Sequence, residues 1–178
     1  MIRISDDLLL RPVQPEDAET LFTLTDNDRP YLREWLPWVD GTKTVEDTMD
    51  YISFSQEGNN AGTLLNLSII WKDKIVGITG FNKIDRIHRI AYIGYWLSSD
   101  FQGNGIMTQS AKALTDYAFN ELHSNKVEIR AAVRNKKSRS IPERLGYVQE
   151  GILRSNEWIY DHYVDHVVYG MLADEWDK

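Results

Sequence analysis

The chain has 178 residues, 42% of them hydrophobic, which is enough to bury a substantial core, and it has no Pro/Gly/Ser-rich hinge, so one domain over 1–178 is expected. A formal charge of −7 argues against nucleic acid as a direct partner, and the absence of cysteine excludes disulfides, thiolate nucleophiles and thiolate metal sites. The opening Met1-Ile2-Arg3-Ile4-Ser5-Asp6-Asp7 is acidic where a secretion signal needs a basic end, and no apolar stretch matches a bilayer; a soluble cytoplasmic protein without a membrane partner is the expectation.

Along the chain, Leu8-Leu9-Leu10-Arg11 reads as a short strand stopped by Pro12. Pro15, Glu16 and Asp17 then open a helix expected over about 15–27, with proline and acids in its first turn. Tyr31, Trp35, Leu36 and Trp38, interrupted by Pro30 and Pro37, predict a helical turn or loop. Thr44 followed by Asp47 caps a second helix, expected to end near Gly58. From there the hydrophobic period shortens to two. Residues 65–69, 75–84 and 89–97, with Lys72-Asp73-Lys74 as a turn, predict an antiparallel meander. The glycine loop Gln102-Gly103-Asn104-Gly105-Ile106-Met107-Thr108 runs straight into the amphipathic pattern Ala111, Leu114, Tyr117, Ala118 and Leu122. A strand over 127–133, a helix over 135–145 and strands over 147–153 and 163–172 complete an α/β sandwich.

A glycine loop at a helix start offers free backbone N–H groups and the positive end of the helix dipole, which together hold a phosphate or pyrophosphate. Such loops are also common plain turns. Here Ile106-Met107-Thr108 lacks the Gly-Lys-Ser/Thr ending of a nucleotide P-loop, and Thr108 stands where a dinucleotide fingerprint needs its third glycine. The basic cluster from Arg134 to Arg139 is either a solvated helix start or an anion site.

The motifs Ile93-Gly94-Tyr95-Trp96-Leu97, Gln102-x-x-Gly105-x-Met107, Asn135-x-x-Ser138 and Glu143-Arg144-Leu145-Gly146-Tyr147, in this order, resemble the GCN5-related N-acetyltransferase (GNAT) superfamily. Within it they look like the RimJ/RimL subgroup of ribosomal-protein N-terminal acetyltransferases. Met107 replaces the small residue that ends the general loop pattern, as larger residues do in that subgroup. The likeness runs from Leu10-Arg11-Pro12 to Glu175-Trp176. It implies the GNAT fold, a central mixed, mostly antiparallel sheet flanked by helices.

By this resemblance acetyl-CoA is the cosubstrate, no metal takes part, and the acceptor is the α-amine of a protein, with a ribosomal protein as the family-based expectation. A polyamine, an amino acid or an antibiotic is the alternative acceptor, and a non-catalytic acyl-CoA-binding regulator is the rival from another class. A homodimer is the implied oligomer. Gly103, Asn104, Gly105, Ile106, Met107 and Thr108 would hold the coenzyme A pyrophosphate through backbone N–H groups, with Trp96 and Leu97 beside the thioester and with Gln102, Asn135 and Ser138 also binding the cofactor. The Leu97 N–H is the candidate for the oxyanion, and Ser138 for protonating the thiolate, unless its hydroxyl only bonds the helix end. Glu157, after Gly151-Ile152-Leu153-Arg154, is the candidate base, or else a surface carboxylate beside Trp158. Many relatives carry a glutamate where this chain has Tyr92, which makes Glu157 matter more.

The family also splays the strand carrying Gly94 from its parallel neighbour, so Gly94 marks either the associated bulge or a close packing contact. Tyr31, Trp35 and Trp38 fall where the acceptor wall forms, and also suit a core. His162 and His166 have a metal-like spacing, but in a strand they stand about 13 Å apart, so no metal site is expected. Pro142 predicts a kink in the last helix.

Overall fold

The structure, a computed structural model, describes residues 1–176. Eight strands form one sheet in the order β1-β2-β3-β4-β5-β6-β8-β7. They are β1 (Ile2–Arg3), β2 (Leu8–Pro12), β3 (Leu65–Trp71), β4 (Lys74–Asp85), β5 (Ile90–Leu97), β6 (Lys126–Ala132), β7 (Val148–Ile159) and β8 (His162–Leu172). Every neighbouring pair is antiparallel except β5 with β6. The helices are α1 (Ala18–Asn27), α2 (Arg29–Arg33), α3 (Val45–Ala61), α4 (Ile106–Asn120), α5 (Lys136–Arg144) and a last turn, α6 (Ala173–Trp176).

Side-chain alternation divides the sheet into two buried faces. Leu67, Ile69, Phe81, Ala91, Ile93, Val127, Ile129, Val167 and Tyr169 pack with Ile106, Ala111 and Leu114 of α4 and Ile141 of α5. On the opposite face Ile78 and the half-buried Trp96 meet Ala18, Leu21 and Ile52 of α1 and α3. Buried Asp17 ties the start of α1 to this second face. It takes two hydrogen bonds from Arg11 at 2.8 and 2.6 Å, one from the Gln14 N–H at 3.0 Å and one from Ser68 Oγ at 2.8 Å. Thr44 and Asp47 do close a capping box at the start of α3, but that helix runs past Gly58 to Ala61, where Gly62 takes the left-handed turn at φ 66°.

Two features of the sheet create the site. The β5–β6 ladder ends at Ile93↔Ile129, after which Gly94 to Leu97 pair only with β4, and Arg130 to Ala132 pair only with β8. The sheet therefore opens between its two parallel strands. The bulge beside this opening lies at Asn82 of β4, between Phe81 and Lys83, so Gly94 is the packing contact: a Cβ there would sit 2.2 Å from Asn82 Nδ2.

The second feature is the length of the last hairpin. Sequence periodicity ends its first strand at Leu153, whereas β7 continues to Ile159 and turns back into β8 at Tyr160-Asp161. A wide bulge over Arg154-Ser155-Asn156 breaks the alternation and hides the extension: Leu153 pairs with His166 and Glu157 with Val164.

Candidate active site

One cleft of about 1240 Å³ occupies the opening between β5 and β6 and reaches both faces of the sheet. On the α4 side, Gly103 and Gly105 adopt φ of 80° and 73°, and Gly105 is the N-cap of α4. Among the described residues no side chain caps that helix, and no acid sits in its first turn, so its leading N–H groups remain available to an anion. Ile106 and Met107 point into the core, leaving backbone at the surface of the loop. The Asn104 side chain turns back to donate to the carbonyl oxygens of Phe101 and Gln102 at 3.0 and 3.3 Å, and it does not line the cleft. Two cations that sequence reasoning did not assign border the loop: Lys137 donates to Gln102 Oε1 at 3.0 Å and Arg144 to Thr108 Oγ1 at 2.6 Å. The signal for Lys137 was the basic cluster from Arg134 to Arg139, one of whose two readings was an anion site.

The inner edge of β5 is a free hydrogen-bonding edge. Ser98 N–H donates to Val76 O at 2.9 Å, which makes Ser98 a hydrogen-bonded pair with β4 and turns the N–H and C=O of Leu97 towards the opening. Across from it, Asn135 caps α5 by accepting from the Ser138 N–H at 3.1 Å, which places Ser138 in the first turn of that helix. The Ser138 hydroxyl lies 3.3 Å from Tyr95 Oη, whose own proton goes to the Ser138 carbonyl oxygen at 3.0 Å. Burial pushes the Tyr95 phenol above its ordinary range, so it keeps that proton. Tyr95 belonged to a recognised motif but carried no expected role.

On the opposite face of the sheet, Glu157 lines the same cleft, with Oε2 3.2 Å from His166 Nε2. Asn156 Nδ2 meets the other ring nitrogen of His166 at 3.1 Å. His166 and Asn156 were missed as site residues: Asn156 lies in the β7 bulge, and His166 gains its partners Asn156 and Glu157 only because that bulge brings them to it. Tyr92 also lines it; the carboxylate nearest in register is buried Glu128 on β6, committed to Arg130 at 2.6 Å and Lys126 at 3.5 Å.

Tyr31, Leu32, Trp35 and Leu36 form one wall. Trp38 does not line the cleft and stands 6.1 Å from Trp96, ring to ring. This wall is held at both ends: Asp28 accepts from the Ser99 N–H at 2.7 Å, and Tyr160 Oη donates to Leu36 O at 2.6 Å. His162 pairs with Asp161, away from His166, and among the described residues no three His, Cys, Asp or Glu are grouped to hold a metal ion. Pro142 does lie within α5.

The family model for the acetyltransferase (GNAT) domain matches residues 7–148. YdaF of Bacillus subtilis (strain 168) is 31% identical over 176 residues, 98% of this chain and 96% of that protein. The ribosomal-protein-serine acetyltransferase of Escherichia coli (strain K12) is 28% identical over 173 residues, covering 97% of each chain. RimL, a ribosomal L7/L12 alpha-N-protein acetyltransferase solved in complex with coenzyme A, matches with a TM-score of 0.94 at 28% identity over 98% of both chains. MccE, a microcin C7 self-immunity acetyltransferase solved with acetyl-CoA and AMP, matches with a TM-score of 0.91 at 30% identity, over 95% of this chain and 94% of that one. With its split parallel strands and uncapped glycine loop, the chain belongs to the GNAT acetyltransferase family and is an N-acetyltransferase.

Proposed function

We propose that the protein, acting as one acetyltransferase domain, moves the acetyl group of acetyl-CoA to the N-terminal α-amine of a protein, with a ribosomal protein as the acceptor. The observation that carries this reading is a single cleft lined from one sheet face by Ser138 and the glycine loop and from the other by Glu157. Bound acetyl-CoA supplies an activated thioester carbonyl. The uncapped start of α4, with Gly103 and Gly105 leaving the backbone open and Lys137 and Arg144 beside it, suits the pyrophosphate. Asn104 supports the loop from behind.

Glu157 takes the proton that an ammonium must lose before its nitrogen attacks the carbonyl carbon, directly or through a water. The Leu97 N–H faces the negative charge that gathers on the carbonyl oxygen as the C–N bond forms. When the C–S bond breaks, Ser138 gives its hydroxyl proton to the departing thiolate, and the second proton that the new amide nitrogen must lose passes through solvent to restore the hydroxyl. Trp96 packs on the α1 and α3 side of β5, and Tyr31 and Trp35 line the cleft, where aromatic rings suit an incoming cation.

The ribosomal acceptor is supported by the names of the Escherichia coli relative and of RimL. A ribosomal acceptor also supports a cytoplasmic location, and the family resemblance supports a homodimer. MccE, at 30% identity, is a microcin C7 self-immunity acetyltransferase solved with AMP beside acetyl-CoA, which supports the second reading, a small-molecule amine acceptor. The test offers the enzyme labelled acetyl-CoA with short peptides bearing free α-amines, the same peptides blocked at the α-amine but containing lysine, spermidine and an aminoglycoside. Fastest acetylation of a free α-amine peptide is expected. Faster transfer to spermidine or the aminoglycoside than to every such peptide would establish the small-molecule reading.

A further inference from the structure

The bulge in β7 does more than interrupt a strand. Between the pairs Leu153↔His166 and Glu157↔Val164, three residues of β7 face one residue of β8. Regular pairing from Leu153 would set Glu157 opposite His162, so the two extra residues draw Glu157 back by about 7 Å towards His166. The bulge is secured by its own turn: Ser155 sits at φ 49°, and its N–H donates to Asp165 Oδ1 at 2.7 Å.

His166 is consequently enclosed by defined partners. Its side chain is 14% exposed, against 32% for Glu157. The residues directly opposite it, Ala132 on β6 and Leu153 on β7, are apolar, and the adjacent Asp165 is engaged with Ser155. Nδ1 meets the Asn156 amide nitrogen at 3.1 Å and Nε2 meets Glu157 Oε2 at 3.2 Å. An amide NH2 can only donate, so Nδ1 accepts and the proton of the neutral ring is on Nε2, the nitrogen that lies 3.2 Å from the carboxylate oxygen.

We propose that His166, set in its Nε2–H tautomer by Asn156, is a positioning residue that holds the Glu157 carboxylate for proton acceptance. This role rests on Glu157 being the base. A neutral donor suits it: from 3.2 Å a small turn of the ring brings the Nε2–H onto Oε2 and leaves Oε1 for the ammonium or water, while a full positive charge at the same place would stabilise the carboxylate and weaken it as a base. The arrangement puts the base within reach of a third group able to orient it.

The test combines kinetics with nitrogen-15 NMR of the histidine rings in the whole protein. In the wild type, the ring-proton correlations of His166 are expected to show a protonated Nε2 and a bare Nδ1 at neutral pH. Asn156→Asp, which offers Nδ1 only acceptors, should bring a proton to Nδ1. His166→Ala should lower kcat about tenfold, with acetyl-CoA affinity unchanged, and His166→Gln, whose amide can still donate, should recover most of that loss. In a Glu157→Gln background, His166→Ala should cost nothing further.

A proton on Nδ1, or on both nitrogens, in the wild type overturns the proposal whatever the kinetics show. So does an unchanged kcat in His166→Ala, or an equal loss from that change with and without Glu157. If His166→Ala fails to fold, the spectra of the wild type and the kinetics of His166→Gln decide: a near wild-type kcat for His166→Gln supports the role and a tenfold loss opposes it. Wild-type kcat in Glu157→Gln alone would instead refute the base, a result separable from the tautomer that the spectra report.

Discussion

Tyr95 on β5 donates its hydroxyl proton to the backbone carbonyl oxygen of Ser138 at 3.0 Å, which clamps one lip of the cleft to the first turn of α5 and leaves the Ser138 hydroxyl 3.3 Å from the same phenol oxygen. Ser138→Ala is expected to lower kcat by about 10–100-fold while hardly changing the KM for acetyl-CoA. Tyr95→Phe should cost less, and nothing more once Ser138 is alanine. Steady-state kinetics of both single variants and the double variant check this; a larger loss in Tyr95→Phe than in Ser138→Ala would make the phenol itself the acid.

Gly105 caps α4 at φ 73°, where any other residue is strained and where bulk would cover the first N–H groups of the helix. Gly105→Trp should raise the Kd for acetyl-CoA by more than about tenfold, or 1.4 kcal/mol. Arg144→Ala should weaken binding less, and its effect should fade as salt screens the phosphate contact. Titration calorimetry at two ionic strengths, with thermal melts to confirm folding, measures both.

Trp35 lines the cleft, whereas Trp38 spends its ring on Trp96. Trp35→Ala should therefore raise the acceptor KM by about fivefold or more, roughly 1 kcal/mol of lost cation–π and apolar contact, without altering acetyl-CoA affinity. Trp38→Ala should act mainly on the melting temperature. Equal acceptor KM values in wild type and Trp35→Ala would move the acceptor away from this wall.

Asp17 supplies a stability prediction with a definite pH sign. Burial alone would raise its carboxyl, but the Arg11 guanidinium, the Gln14 N–H and the Ser68 hydroxyl together hold it below the ordinary carboxylate range. A folded value below the unfolded one means that the stabilisation is complete above about pH 4 to 5 and is lost as pH falls through the depressed value. Asp17→Asn should destabilise the protein by about 2–3 kcal/mol at neutral pH, because it leaves Arg11 without its charge partner. It should also flatten the acid limb of stability, as urea unfolding between neutral and acid pH would record.

Local signals in the sequence carried most of the architecture. The capping box of Thr44 and Asp47, the change of period at Leu65, the turn at Lys72 and Asp73 and the passage from Gly105 into α4 each depend on residues within a few positions of one another. Sterics, capping and periodicity act at that range, so they can be read from the chain alone. β1, only two residues long, offers no period to read.

The working geometry depended on partners far away along the chain. Tyr95 and Ser138 are 43 residues apart, and nothing near either one specifies the other. Residues 154–159 look irregular until β8 pairs with them, and the opening between β5 and β6 is the absence of a ladder, which no residue type encodes. Gly94 suited a bulge as well as a packing contact until Asn82 was seen to fill the space above it. Glu157 was named from its motif, but its meeting with His166 required the two extra residues of the β7 bulge. Strand register is a collective choice among hydrogen bonds and buried side chains across the whole sheet, so it is decided only when the sheet is assembled.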